Sequence, residues 1–256
     1  MNKRSESRGK LALVIGGSIS GLLAARVLSD FYENVVVIER DSLSAAAGSR
    51  RGVPHARHAH GLLASGTQVL KELFPEIMRD LLSAGAIPAD VLDDARWFFE
   101  GGCLQRSPTG TKGVLVSRPV LESVVRNQVR EIEGIEFYDN RTVQGLLFDG
   151  KVVKGVRTDA GVLETDLVVD TTGRGSRSPQ WLKSIGFEPP LEERVEVQLT
   201  YTTRLFKRSP SDLGGDMIVA IPPTPDGKRG GVMLAQENGL WITTLYGYFG
   251  HQAPRD

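Results

Sequence analysis

The sequence predicts an α/β fold in which a βαβ unit opens the chain and an antiparallel sheet closes it. Three observations carry this prediction: a glycine-rich turn between two short apolar runs, an Asp-Gly hairpin signal in mid-chain, and alternating apolar segments towards the end. With 256 residues, 40% of them hydrophobic, the chain can bury a core and has room for one large or two modest domains.

The opening unit has the order strand, glycine turn, helix and strand. Leu11 to Ile15 predicts the first strand, Ser20 to Phe31 the helix, and Val35 to Ile38 the second strand. Because the amides and dipole of a helix N-terminus attract phosphate, this unit predicts a dinucleotide site. The alternative is a plain strand-to-helix turn, and the complete order of elements favours the dinucleotide.

Individual residues of this unit have distinct expected roles. Gly16 permits the tight turn after the strand, and Gly21 lets the helix pack closely against the sheet. Ser18 occupies the place of the usual middle glycine, a departure that we expect to be tolerated. Glu39 ends the second strand, where a carboxylate accepts hydrogen bonds from a ribose diol. This position favours a nucleotide with an unmodified 2′-hydroxyl.

Charge and cysteine content exclude several function classes. Lys plus Arg and Asp plus Glu both total 31, so the net charge is zero and neither nucleic acid nor an anionic membrane surface is an expected partner. The single cysteine, Cys103, excludes an intrachain disulfide framework and predicts a reducing cytoplasm. No apolar run reaches the ~18 to 20 residues that span a bilayer. Residues 1–9 are expected to form a disordered tail.

Helices and strands alternate through the next part of the chain. Helices are predicted from Leu62 to Phe74 and from Glu76 to Ala84, and short strands are predicted within residues 86–116. Ser117 is the expected N-cap of a further helix that extends to Ile132.

A β-meander is expected after this helix. Its predicted strands are Ile135 to Tyr138, Thr142 to Phe148, Val152 to Arg157 and Val162 to Thr165, with turns at Asp149-Gly150 and Asp159-Gly161. Leu167 to Val169 then forms a short, wholly apolar run that is typical of a buried parallel strand.

The last part of the chain predicts an antiparallel sheet. Residues 193–206 alternate in polarity, and three further strands are expected at Met217 to Ile221, Gly231 to Ala235 and Leu240 to Leu245. The apolar side chains of this sheet suit an apolar or aromatic ligand, although the same alternation describes the core side of any sheet.

Four motifs in order resemble the single-component flavin-dependent monooxygenases of the aromatic-hydroxylase superfamily, nearest to bacterial members that include epoxidases. They are VIGGSISGLLAARVLSD with ER after the second strand, RGVPHARHAHGLL, VSRPVLE, and DLVVDTTGRGSRSPQWL. The resemblance implies a Rossmann-like FAD-binding domain of the GR2 type, with its meander, over residues 10–190. It also implies an excursion into the substrate domain over residues 86–116 and a partial substrate-binding sheet over residues 191–256.

The resemblance implies a set of contacts to FAD. The pyrophosphate would be held by Gly16, Gly17, Ser18, Ile19, Ser20 and Gly21, the adenosine ribose by Glu39 and Arg40, the phosphates or ribityl chain by Arg118, and the adenine edge by the backbone of Val143. Thr172 and Gly173 occupy the second flavin motif, where many aromatic hydroxylases have Asp-Gly. The threonine leaves the usual contact of this motif with the ribityl chain in doubt.

The implied reaction uses NADPH or NADH as a transient reductant and molecular oxygen as co-substrate to hydroxylate or epoxidise a small molecule. No general acid or base is expected, because the reduced flavin itself activates oxygen. The family's third FAD motif matches nothing before residue 256, so the chain is expected to be an N-terminal portion that binds FAD weakly and turns over poorly. The sequence gives no oligomeric state.

Two other functions remain open from the sequence. One is a flavin-dependent reductase of carbon-carbon double bonds on the same fold, and the other is a non-catalytic, FAD-binding remnant.

Charged and histidine-rich positions offer weaker alternatives. His55, His58 and His60 share one loop, but no Cys, Asp or Glu follows at metal-ligand spacing, so no metal is expected. Arg50, Arg51 and Arg57 are either guides for a phosphorylated nicotinamide or a solvated basic loop.

Overall fold

The computed structural model describes residues 8–44 and 47–253. The chain divides into two compact units, here called the first unit (residues 1–53 and 125–193) and the second unit (residues 54–124 and 194–256). The segment of the second unit that interrupts the first, residues 54–124, is longer than the excursion of residues 86–116 expected from the sequence.

The strands and helices follow one another in short succession. The strands are β1 (Gly9–Ile15), β2 (Tyr32–Ile38), β3 (Gly61–Leu62), β4 (Ile87–Asp90), β5 (Ala95–Phe99), β6 (Gly102–Cys103), β7 (Lys112–Leu115), β8 (Ile135–Tyr138), β9 (Val143–Phe148), β10 (Val153–Thr158), β11 (Gly161–Glu164), β12 (Leu167–Asp170), β13 (Thr200–Lys207), β14 (Ile218–Ile221), β15 (Arg229–Gln236) and β16 (Leu240–Gly247). The helices are α1 (Ile19–Leu28), α2 (Ala64–Leu73), α3 (Ile77–Ser83), α4 (Arg118–Arg130) and α5 (Ser178–Ser184).

A parallel sheet of order β12-β1-β2-β8 forms the centre of the first unit. The buried parallel strand predicted at Leu167 to Val169 is confirmed, because β12 pairs with β1 in parallel. The expectation that Ile135 to Tyr138 belongs to the meander is wrong, since β8 pairs in parallel with β2. The reason is topological: a strand that directly follows a helix is placed by the crossover beside an earlier parallel strand.

Apolar side chains of β1 and β2 lie between the layers of the first unit. Leu13, Val35 and Val37 are fully buried, as is Leu22 of α1. Each such side chain stabilises the fold by roughly 1.5–3 kcal/mol relative to exposure. The βαβ unit is therefore the rigid centre on which its glycine turn is mounted.

The meander consists of three antiparallel strands in the order β11-β10-β9. Its first turn is built as the sequence indicated: the Asp149 carboxylate accepts hydrogen bonds from the amides of Lys151 and Val152, both at 2.9 Å, and Gly150 has a φ of +95°. The Asp-Gly pair thus closes the hairpin by an Asx-type turn.

The second unit contains a six-stranded sheet of order β13-β16-β15-β14-β5-β6 and a three-stranded sheet of order β3-β7-β4. The expected antiparallel sheet is confirmed for β13, β16, β15 and β14, and β5 adds to it in parallel with β14. The expected strand at residues 193–206 is wrong in its first half: β13 begins at Thr200, and Val195 is 90% exposed. Alternation by itself does not form a strand where no neighbouring strand supplies hydrogen bonds.

Helix ends differ from the sequence expectations by a few residues. Helix α1 ends at Leu28 rather than Phe31, and α2 begins at Ala64 because residues 61 and 62 pair with β7. Of the expected N-terminal tail, residues 1–7 lie outside the described residues, whereas Gly9 belongs to β1. None of the helices in the described ranges is long and apolar enough to cross a membrane.

Candidate functional site

The turn between β1 and α1 requires glycine at two positions. Gly16 adopts a φ of +105°, which L-residues rarely reach. A Cβ atom at Gly21 would lie 1.7 Å from the carbonyl oxygen of Gly16, so any side chain there would collide with the backbone. Ser18 is extended and precedes the first turn of α1. The first amides of any α-helix have no acceptor within the helix, and these amides start directly after Ser18.

The end of β12 holds this turn in place. The Thr171 hydroxyl lies 2.7 Å from the carbonyl oxygen of Ile15 and 3.1 Å from that of Gly16, and the Thr171 amide donates to Ile15 at 2.8 Å. Sequence reasoning did not assign a role to Thr171. The only signal was its position directly after a buried parallel strand, where residues of neighbouring strands meet.

Glu39 lies against the same turn. Its side chain is buried, and its Oε2 accepts a hydrogen bond from the Gly17 amide at 2.8 Å. Oε1 accepts from the Asp41 amide at 3.0 Å, and a guanidinium nitrogen of Arg50 lies 3.1 Å from Oε2. The carboxylate is therefore fixed in direction beside the glycine turn, as expected from the sequence.

A cavity of about 370 Å³ opens beside Glu39 in the first unit. Its lining residues are Arg40, Asp41, Ser42, Ser44, Gly48, Ser49, Arg50, Arg51, Arg126 and Asn140. Arg126 is 4% exposed and donates to the carbonyl oxygen of Ser44 at 3.1 Å, and Arg50 donates to that of Gly17 at 3.3 Å. Four arginines and the carboxylate of Asp41 line this cavity, and Arg50 pairs with both Asp41 and Glu39. The remaining excess of positive charge favours a bound anion. Arg126 lay within a helix face and carried no sequence signal of its own.

Asp170, the last residue of β12, organises the loop that follows this strand. Its carboxylate accepts hydrogen bonds from the amide and hydroxyl of Thr172, at 2.8 and 2.6 Å, and from the hydroxyls of Ser176 and Ser178, at 2.6 and 2.5 Å. Burial raises the pKa of Asp170, but these hydrogen bonds outweigh it and hold the pKa below its usual value. Gly173 has a φ of +65° and begins a tight turn. Thr172 therefore contacts Asp170 through both its amide and its hydroxyl.

The remaining predicted residues are distributed over both units. Arg40 is exposed at the cavity, and Val143 is buried at the start of β9. Arg118 is the first residue of α4 in the second unit, with a guanidinium nitrogen 3.7 Å from the Glu122 carboxylate. The first unit thus brings the glycine turn, Glu39 and Arg40 together.

The histidine loop lies in the second unit. His58 Nδ1 is 2.8 Å from the Thr203 hydroxyl, and His60 Nδ1 is 2.9 Å from the carbonyl oxygen of His58. Burial, more than the nearby Arg118 charge, lowers the pKa of His55, and burial likewise lowers that of His60. In the parts of the chain that the structure describes, no three His, Cys, Asp or Glu side chains are grouped to hold a metal ion.

Comparison with known proteins gives two sequence relatives. No protein-family model matches the chain. The chain is 36% identical over 251 residues to Protein Rv3254 of Mycobacterium tuberculosis (strain ATCC 25618 / H37Rv). The aligned stretch covers 92% of this chain and 53% of that protein. A stretch of 96 residues, 38% of this chain, is 33% identical to 23% of a D-amino acid dehydrogenase of Rhizobium rhizogenes (strain K84 / ATCC BAA-868). The chain spans about half the length of the first of these relatives.

Solved structures similar to this chain include flavin-dependent enzymes. PqsL, a probable FAD-dependent monooxygenase from Pseudomonas aeruginosa, superposes with a TM-score of 0.70 at 15% identity, over 93% of this chain and 60% of PqsL. The tetrameric form of 2-methyl-3-hydroxypyridine-5-carboxylic acid oxygenase gives 0.63 at 19% identity, over 96% and 60%. The flavin-dependent brominase Bmp2 gives 0.64 at 12% identity, over 92% and 55%. The chain has the mixed α/β fold of FAD-dependent monooxygenases, which confirms the α/β fold class predicted from the sequence.

Proposed function

We propose that this chain, which has the fold of FAD-dependent monooxygenases, is an FAD-binding oxidoreductase of the aromatic-hydroxylase superfamily. One observation carries the proposal: the glycine turn of residues 16–21 is fixed between β1, α1 and β12, with the buried Glu39 carboxylate beside it. We assign this first unit to the GR2-type FAD-binding domains and the second unit to substrate binding.

The residues of the turn fit the pyrophosphate and ribose of FAD. The close approach of Gly21 to Gly16 lets α1 begin directly against the turn. The first amides of a helix have no acceptor within the helix, so they can donate to a phosphate. Glu39 has a fixed carboxylate that accepts hydrogen bonds, as a ribose diol requires. Val143 would meet the adenine edge and Thr172 with Gly173 the ribityl chain. Bound FAD would supply the transfer of electrons from a nicotinamide to oxygen.

The chain's own residues would bind and orient the reactants. We infer NADPH rather than NADH as the reductant, because the exposed Arg51 lines the cavity beside Arg50 and Arg126 and can pair with an additional phosphate. The oxidised compound is a small apolar or aromatic molecule that becomes hydroxylated or epoxidised in the cytoplasm. In support, PqsL has been solved in complex with 2-aminobenzoylacetate, a small molecule.

Titration with FAD, followed by quenching of flavin fluorescence, tests the proposal. The wild-type chain should bind one FAD to saturation. Glu39→Gln should weaken binding by roughly tenfold or more, since a hydrogen bond to a charged group contributes about 1.5–3 kcal/mol. Glu33→Gln, an exposed carboxylate of the same strand, is the matched control and should leave the affinity unchanged.

A substitution can lower FAD affinity by unfolding the protein as well as by removing a contact. The melting temperature of each variant is therefore measured too. Loss of FAD binding in Glu39→Gln with an unchanged melting temperature supports the proposed role of Glu39. A wild-type chain that binds no FAD contradicts the proposal, whereas a chain that binds FAD but shows no turnover supports the non-catalytic alternative. The affinity also tests the expectation that binding is weak, which a tight, stoichiometric complex would contradict.

Oxygen consumption separates the two enzymatic alternatives. A monooxygenase consumes oxygen and NADPH together, whereas a double-bond reductase consumes NADPH under anaerobic conditions when an alkene is present. Comparison of NADPH with NADH, for wild type and Arg51→Gln, tests the arginine-lined cavity. Equal use of both nucleotides by the wild type would contradict the inferred preference.

A further inference from the structure

The second unit carries a row of paired polar and aromatic side chains on one face of its large sheet. Strands β13 and β16 are antiparallel neighbours in which Thr203 faces Thr244 and Tyr201 faces Tyr246. Because residues two apart on a strand lie on the same face, these four side chains form one patch. His58, from the loop before β3, lies over it.

A chain of hydrogen bonds runs from the backbone to His58. The Ala59 amide donates to the Thr244 hydroxyl oxygen at 2.9 Å, the two threonine hydroxyls are 2.7 Å apart, and Thr203 Oγ1 is 2.8 Å from Nδ1 of His58. Thr244 is only 2% exposed, so its hydroxyl hydrogen needs an acceptor inside the protein.

This need fixes the direction of the first bond. In the described part of the structure, Thr203 Oγ1 is the acceptor within reach of the Thr244 hydroxyl, so Thr244 donates to Thr203. The half-buried Thr203 hydroxyl can then donate to Nδ1 of His58, an arrangement that the tautomer of His58 tests directly. A neutral imidazole that accepts at Nδ1 carries its proton on Nε2. In that arrangement His58 presents an N–H donor at Nε2.

The donor lies beside an aromatic surface that is itself held in place. The ring centroid of Tyr201 is 5.2 Å from that of His58 and 6.1 Å from that of Tyr246. Tyr246 lies across Gly230 of β15, where a Cβ atom would approach its Cε2 and Cζ to 2.8 Å. Tyr201 is 49% exposed, and Leu205, on the same face, is 57% exposed. The patch therefore offers an accessible ring, an apolar margin and one oriented donor.

We propose that His58, Tyr201 and Tyr246 form a binding site for an aromatic or conjugated small molecule that carries a carbonyl or carboxylate oxygen. The oxygen accepts the hydrogen bond from Nε2 of His58, and the ring of the ligand packs on Tyr201. All the contacts of this site lie within the second unit. Its assignment as the substrate site rests on the proposed function. The substrate would then be an aromatic or conjugated carbonyl or carboxylate compound.

The tautomer is the first test. Two-dimensional ¹⁵N NMR at about pH 8, above the usual histidine pKa of about 6.5, should show His58 protonated at Nε2. Thr203→Val removes the donor to Nδ1 and should convert His58 to a mixture of tautomers. A His58 protonated at Nδ1 in the wild type would overturn the proposal.

Ligand binding is the second test, with acetophenone as probe. Its matched control is α-methylstyrene, which replaces the carbonyl oxygen by a CH₂ group of similar shape. Acetophenone should shift the His58 and Tyr201 signals and bind about three- to tenfold more tightly than α-methylstyrene, as expected for one hydrogen bond. Equal affinities, or no binding of acetophenone at millimolar concentration, would overturn the proposal.

Variants separate the contributions of the donor and the rings. His58→Phe keeps an aromatic ring and should abolish the difference between the two probes. Tyr246→Leu removes the ring beside Tyr201 and should weaken both probes, whereas His55→Phe, in the same loop as His58 but with its ring near His60, should change neither affinity. An unchanged probe difference in His58→Phe would contradict the assigned donor.

None of these measurements uses the flavin, so the two proposals fail separately. A chain that binds FAD but neither probe overturns this site and leaves the proposed function in place. A chain that binds acetophenone through His58 but no FAD supports the site and removes its reading as a monooxygenase substrate site.

Discussion

Individual residues of the glycine turn are restricted by close contacts with the backbone and by hydrogen bonds to Glu39. Gly21 lies so close to the carbonyl oxygen of Gly16 that its hydrogen is the only substituent that fits. Glu39 ties its carboxylate to the amides of Gly17 and Asp41 and to the guanidinium of Arg50. The sequence pattern anticipated Gly21 and Glu39, but it did not show that Arg50 would reach them.

At this scale, we predict that Gly21→Ala disables the nucleotide site. Its methyl group would need to displace α1 from β1, because the carbonyl of Gly16 is backbone and cannot rotate away. The expected result is loss of FAD binding together with a lower melting temperature. Gly61→Ala, where a Cβ would meet nothing within 4 Å, is the control and should behave as wild type. FAD affinity of Gly21→Ala within twofold of the wild type would show that the close contact does not matter.

Elements of the first unit are joined at the carboxyl ends of their strands. Strand β12 is separated from β1 by more than 150 residues, yet its end donates to the glycine turn through the amide and hydroxyl of Thr171. Asp170, in the same strand end, gathers three hydroxyl groups of the following loop. The segment of residues 170–173 therefore supports the glycine turn of residues 16–21.

For this junction, we predict that Thr171→Val lowers stability by about 1 kcal/mol, the usual contribution of one hydrogen bond. The methyl group of valine keeps the volume while it removes the hydroxyl that bonds Ile15. Chemical denaturation monitored by circular dichroism gives the free energy of unfolding. Thr165→Val, which removes a hydroxyl that donates to the carbonyl oxygen of Leu11 but none that bonds the turn, should leave FAD affinity less affected than Thr171→Val. The reverse order would contradict the support assigned to Thr171.

The whole molecule contains groups whose pKa values make its stability depend on pH in two ranges. Backbone amides, led by that of Leu92, together with the Thr109 hydroxyl lower the pKa of Asp90 to about 2. The ionised carboxylate therefore stabilises the fold at pH values above the usual pKa of aspartate. This stabilisation is lost as the pH falls to about 2. Burial lowers the pKa of His60. As the pH falls, this histidine is therefore protonated in the unfolded chain at a higher pH than in the folded chain. The contribution of His60 is therefore present above about pH 6.5 and is lost below it.

We accordingly expect two steps of acid destabilisation. Melting temperatures measured from about pH 8 to pH 2 should fall first below about 6.5 and again below about 4. His60→Gln should flatten the first step, and Asp90→Asn should flatten the second while it lowers stability at neutral pH. A profile of Asp90→Asn parallel to that of the wild type below pH 4 would contradict the role of Asp90.

Much of the architecture was determined by the sequence itself. Apolar runs, the Asp149-Gly150 turn and the spacing from Gly16 to Glu39 predicted β1, α1, β2, the meander and β12, because local patterns of burial and turn formation depend on neighbouring residues. They also predicted that a carboxylate would lie beside a glycine turn.

Only the tertiary structure decided which distant groups meet. It placed β8 in the parallel sheet, left residues 193–199 outside any strand, set Arg50 and Thr171 against the glycine turn, and aligned His58 with Thr203 and Tyr201. These contacts join residues 11 to more than 150 positions apart, and their energies depend on the geometry of strand pairing and side-chain packing. A linear pattern records residue types and spacing, whereas a hydrogen bond requires atoms that the fold alone brings within about 3 Å.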